Sequence, residues 1–174
     1  MKALSVTSFK NIGDGLSAAN SVGKFRQLEI LECSAQNGNL LLAIEGPLQE
    51  IDVFHNNLLA LKPISEHLFK TLDSRVWEAH LSLTNSEVKE NLIVLETGFF
   101  SDLLLSVEAL FKMGFSCVDF RAARGASRVN YALMTGELPV NLVSFKLPPS
   151  VTATQIESIS DALRSFLDLR PNKA

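Results

Sequence analysis

The chain repeats itself. Leu4 to Gly46 presents the same order of signals as Leu92 to Gly136, at a separation of about ninety positions. Leu4-Ser-Val-Thr-Ser and Leu92-Ile-Val-Leu-Glu are short β-prone runs, and an amphipathic stretch follows each. Asp14, Leu16 and Lys24 correspond to Asp102, Leu104 and Lys112 at a constant offset of 88. A second apolar run comes next, Leu28-Glu-Ile-Leu-Glu against Ser116-Cys-Val-Asp-Phe. The small loops after it are Gln36-Asn37-Gly38-Asn39 and Arg124-Gly125-Ala126-Ser127-Arg128. A third run ends in Gly46 or Gly136, where the offset has grown to 90. Turn, helix and strand signals recurring in one order indicate duplication of an α+β unit. The expected modules are residues 1–86 and 87–174, with the polar stretch Asn85–Glu90 as the linker.

Within the first copy the pattern predicts strands near 3–8, 27–34 and 39–45, with a helix at 12–24 whose Ile12, Leu16, Ala19 and Val22 pack on the sheet. In the second copy Phe100, Leu103, Leu104, Val107, Leu110 and Phe111 form a broader apolar face, and Gly114 is placed to end that helix in a left-handed turn. Residues 47–61 read as a helix with Pro47 in its first turn, followed by a further helical piece at 64–72 and an alternating strand at 74–84. After Gly136 a strand is expected at 140–145. A final helix follows at 153–168, opened by the capping-box pattern Thr154-Gln-Ile-Glu157. The first module thus reads βαββα(α)β and the second βαβββα, a rearranged ending on a ferredoxin-like plan.

Composition narrows the function. A chain of 174 residues with 47% hydrophobic content has ample material for packed cores. A net charge of −3, without a long basic run, argues against nucleic-acid binding. No stretch of about twenty apolar residues is present to span a bilayer, and a cytoplasmic location is expected. Cys33 and Cys117 both fall in strands and are expected to be buried, reduced thiols.

Catalytic patterns are sparse. His55, His67 and His80 lie too far apart for close metal-ligand spacing and read as surface or partly packed residues. Gly13-Asp14-Gly15 lacks the Gly-Lys-Ser/Thr of a phosphate loop and reads as a helix-opening turn. Glu96, Asp102 and Glu108 have no evident partner for acid-base work, and Ser127 lacks a nucleophile-elbow context. Trp77 reads as a packing anchor. No catalytic residue, metal or cofactor is expected.

Leu92-Ile-Val-Leu-Glu96-Thr97, the helix ending Glu108-Ala-Leu-Phe-Lys112, the Gly125 loop and Leu133-Met-Thr-Gly136-Glu137 resemble the bacterial microcompartment (BMC) shell-protein domain. The first copy is similar, with Ser8 at the glutamate position and Lys24, Gly38 and Gly46 kept. Phe99, Phe100, Leu103 and Phe111 depart from the family's small-residue helix surfaces.

The resemblance implies a tandem shell protein: a homotrimer imitating a hexamer, joining larger layers or other shell proteins, with no membrane partner. It places Lys24 and Lys112 at the edges where discs meet. It also places Gln36, Asn37, Gly38, Asn39, Arg124, Gly125, Ala126, Ser127 and Arg128 around a central pore, where arginines would favour a small anionic metabolite. Ordinary readings of the same residues are solvated helix-end charges and hairpin turns. The alternative function is an oligomeric ligand-binding regulatory module of ferredoxin-like fold.

Overall fold

The computed structural model describes residues 2–36, 38–80, 87–123 and 129–168. The chain divides into two compact units, one built on Met1–Leu72 and the other on Asp73–Ala122 with Val129–Ala174. Each is a four-stranded antiparallel sheet covered by helices.

Unit one runs β1 (Lys2–Phe9), α1 (Ile12–Asn20) continued by a 3₁₀ turn (Ser21–Lys24), β2 (Glu29–Gln36), β3 (Asn39–Pro47), α2 (Leu48–Leu59) and β4 (Ser65–Phe69). Its strand order is β2-β3-β1-β4. Alternate residues of the two central strands, Ala3 and Phe9 with Leu42 and Ile44, meet Ala18, Ala19, Val22, Ile51, Phe54 and Leu58 of the helical layer in one core. Asn11 caps α1: its side-chain oxygen accepts from the Asp14 N–H at 2.7 Å, while its amide donates to the Asp14 carboxylate at 2.7 Å. The helix-opening reading of Gly13-Asp14-Gly15 therefore holds. The buried stripe differs from the expected one. Gly15, Ala18 and Ala19 face inward, and Ile12 and Leu16 are exposed. A Cβ on Gly15 would collide with Leu40, so the missing side chain lets α1 lie close to β3 and sets which face turns in.

Unit two runs α3 (Ser74–His80), β5 (Asn91–Thr97), α4 (Phe100–Lys112), β6 (Ser116–Arg121), β7 (Asn130–Gly136), β8 (Thr152–Ile156) and α5 (Asp161–Asp168), with strand order β6-β7-β5-β8. The duplication extends to register. Ala3 pairs with Gly46 and Asn91 with Gly136; Leu4 pairs with Phe69 and Leu92 with Ile156. The same β-bulge recurs, between Ile30 and Glu32 and between Cys117 and Asp119. These pairings shift the sequence match of β2 by one residue. Four residues separate the 3₁₀ turn from β2, but three separate α4 from β6. Gly114, at φ +88°, ends α4 as expected, and the Phe115 N–H reaches back to the Leu110 carbonyl at 3.0 Å.

Four expected elements change type or extent. The helical piece at 64–72 is β4. Pro63 and the left-handed Lys62 (φ 50°) turn the chain, and the Ile64 N–H joins the Ser8 carbonyl at 2.8 Å. The strand at 74–84 is instead helix α3 through His80. Asp73 accepts the Arg75 N–H at 3.0 Å as a cap, and Val76 and Ala79, three apart, are buried together. Residues 81–84 lie outside the described set. The apolar run 140–145 forms a turn, with the Val143 side chain 98% exposed. The helix expected from 153 starts only at Asp161. Thr154 lies in β8 rather than at a cap, and the Ser160 hydroxyl receives the Leu163 N–H at 3.2 Å.

The closing glycines have a shared cause. A Cβ on Gly46 would stand 2.8 Å from the Gln27 carbonyl and against Leu28; one on Gly136 would stand 2.8 Å from the Phe115 ring. Leu28 and Phe115 occupy equivalent positions before β2 and β6. Gly46→Ala and Gly136→Ala are each expected to cost about 1–3 kcal/mol by overpacking, with Gly46 the more severe because backbone blocks it. Urea denaturation midpoints measure this, and unchanged midpoints would contradict the packing.

Candidate functional site

The helix ends and the β2–β3 hairpin hold the residues singled out from the sequence. Lys24 closes the 3₁₀ turn and Lys112 closes α4 at the equivalent position, both exposed. Lys112 is within 3.5 Å of the Glu108 carboxylate one turn earlier. In the hairpin Gln36 pairs with Asn39, and Gly38 takes φ +84°, the left-handed conformation a two-residue turn requires. Asn39 is half-buried and begins β3. Asn37 and Arg124, Gly125, Ala126, Ser127 and Arg128 lie outside the described residues.

A polar chain in unit one was missed by sequence reasoning. His55 is 4% exposed on the inward stripe of α2 beside Ile51, Phe54 and Leu58. Its Nδ1 lies 2.7 Å from the Ser5 hydroxyl and its Nε2 2.6 Å from the Glu66 carboxylate. Ser5, on β1, and Glu66, on β4, stand on the face that α2 covers, so one imidazole links three elements. The signal was present: His55 falls four residues after Ile51, on the helix's apolar stripe. With Nε2–H donating to Glu66, Nδ1 accepts from Ser5; these are the three groups of a nucleophile relay with the two ring nitrogens exchanged, since in such a relay the hydroxyl meets Nε2 and the carboxylate Nδ1. Ser5 is nevertheless 0% exposed, so the relay has no route to substrate. It satisfies polar groups that burial would otherwise leave costly.

Unit two has polar ties of its own. The Ser150 hydroxyl donates to Asp102 at 2.6 Å, and Thr97 Oγ1 lies 2.7 Å from Ser150 Oγ; this fastens the segment before β8 to the start of α4. Asp102 thus receives a structural partner. At the bulge, Asp119 accepts from the Tyr131 hydroxyl at 3.1 Å, and the Arg121 guanidinium stands 3.3 Å away. Burial, then the Asp119 charge, pushes the Tyr131 phenol above its ordinary value.

The cysteines divide, against the expectation that both are buried. Cys117 is buried with its thiol directed at the Asp119 carbonyl at 3.3 Å, whereas Cys33 is exposed. Partial burial and then Glu32 raise the Cys33 thiol, keeping it protonated at neutral pH. A cleft of about 470 Å³ is lined by Lys2, Arg26, Gln27, Glu29, Glu45, Gly46 and Pro47, with Lys2 and Glu45 paired at 2.7 Å. Among the described residues no group of three or more His, Cys, Asp or Glu side chains is arranged to hold a metal, and no helix is long and apolar enough to cross a membrane.

Two units with one register, each a βαββ core closed by a fourth strand, make a tandem α+β architecture. Among solved structures the chain is similar to a microcompartment protein from Desulfitobacterium hafniense DCB. The TM-score is 0.76 at 19% identity, over 95% of this chain and 99% of that one. No family model and no curated protein matches the chain.

Replacing His55 with Ala leaves the Ser5 hydroxyl buried without its partner and should cost about 2 kcal/mol or more; an unchanged denaturation midpoint would contradict the linking role. Tyr131 is the single tyrosine, so ultraviolet titration reads it alone. Its midpoint is expected above 10, falling in Asp119→Asn. Because the folded phenol resists ionisation, this group's stabilisation is full below its unfolded pKa and is lost as pH rises through the folded one.

Proposed function

We propose that this chain is a structural, self-assembling protein of the tandem microcompartment-shell type, in which three copies form a ring of six modules. The observation that carries the reading is the duplicated register: two modules with the same strand order, pairing and bulge are suited to stand in for two subunits of a six-fold ring. The solved microcompartment protein, matched along nearly its whole length, supports the same reading. Modules 1–86 and 87–174 would alternate around the ring. Gln36–Asn39 and Arg124–Arg128 would line its opening and select small anionic metabolites. Lys24 and Lys112, exposed at equivalent helix ends, would meet neighbouring discs or other shell proteins. The role is architectural rather than enzymatic, in a bacterial microcompartment of the cytoplasm.

Light scattering on the full chain should give three times the 19.1 kDa chain mass. A monomer persisting at high concentration would overturn the reading. Lys24→Ala combined with Lys112→Ala is expected to leave that mass unchanged while suppressing extended layers seen by electron microscopy.

A further inference from the structure

Unit one carries an apolar groove that its counterpart has closed. Ile12 and Leu16 on α1 and Ile30 on β2 are 45%, 52% and 47% exposed, and Cys33 on β2 is exposed beside them. Cys33 and Ile30 share the helix-bearing face of β2, since they pair with Leu42 and Ile44 of the core. The corresponding residues of unit two, Phe100, Leu104, Cys117 and Phe120, are all buried. The difference is α3, which packs on both α4 and β6. Trp77 meets Phe100 edge-on at 6.5 Å, the Arg75 guanidinium lies 4.7 Å over the Phe111 ring, and the Asp73 N–H donates to Glu108 at 2.9 Å.

The position of α3 in the chain identifies what fits the open groove. α3 begins after four residues following β4, the last strand of the first copy. α5 begins after the same four residues following β8, the strand equivalent to β4. The two helices are therefore counterparts in the repeat. α5 packs Leu163 and Leu167 within unit two and leaves Ala162, Ser165 and Phe166 outward, at the i, i+3, i+4 spacing of one helix face. Phe166 is 70% exposed, whereas Ala79, its counterpart in α3, is 3% exposed.

We propose that α5 of one copy seats in the α1–β2 groove of a second copy of this chain, as α3 seats on α4 and β6. Knob and groove lie on different units, so the contact is heterologous and can repeat around a ring. The inference rests on the self-assembly reading and specifies the surfaces that join successive copies.

Light scattering on full-length variants tests it. Leu16→Glu and Phe166→Glu, both at exposed positions, should each lower the mass three-fold. Val53→Glu, on an equally exposed site of α2 outside the groove, should leave it unchanged. An equimolar mixture of the first two should give a species of twice the single-chain mass, because the Leu16→Glu copy keeps its α5 and the Phe166→Glu copy keeps its groove; this also shows that both variants fold. Trimeric wild type with both variants still trimeric would overturn the docking alone. A monomeric wild type would overturn the docking and the assembly reading together.

Discussion

Each unit depends on a central strand bonded on both sides. β1 carries β3 on one edge and β4 on the other, and β5 carries β7 and β8 in the same pairing. Because strand side chains alternate with a period of two, a one-residue slip of either central strand would move its inward residues to the opposite face. The register is held where β3 and β7 close: Gly46 lies beneath Leu28 and Gly136 beneath Phe115, leaving no room for a side chain. The bulge near the start of β2 and β6 then places an acidic residue, Glu32 or Asp119, at a buried position in both copies.

Around this constant frame the two copies diverge. α2 crosses between β3 and β4 in unit one and brings His55 between Ser5 and Glu66. Among the described residues no helix links β7 to β8. Residues 137–151 run there as an irregular segment, held by paired hydrogen bonds between the Gln155 side chain and the Val140 backbone at 2.7 and 2.8 Å and by Ser150 on Asp102. The first helices differ as well. Small residues bring α1 against β3, whereas the larger side chains of α4 fill the space beneath α3.

The parts legible in the sequence are those that repeat locally. The strand, helix and two further strands of each copy follow from apolar periodicity, and Gly114 adopts the left-handed conformation expected of it at the end of α4. Two of the segments outside the repeated core depart from their local pattern because pairing partners decide them. Ser65–Phe69 becomes a strand since β1 offers an open edge, and the Thr152–Ile156 segment is taken from its expected helix by β5. His55 was legible only as a position on the α2 stripe; its two partners come from strands fifty residues before and eleven after. Lys24 and Lys112 were matched by sequence and do occupy equivalent helix ends, but equivalence fixes place rather than role.

Duplication explains why one chain can hold two forms of the same surface, one closed by its own helix and one left open. A ring closed by rotation needs a contact between two different surfaces of the chain. The most direct measurement is electron microscopy of the purified full chain. Ring-shaped particles with three-fold symmetry and six lobes, one per module, are expected. Uniform particles of single-chain size across the concentration range would contradict the assembly.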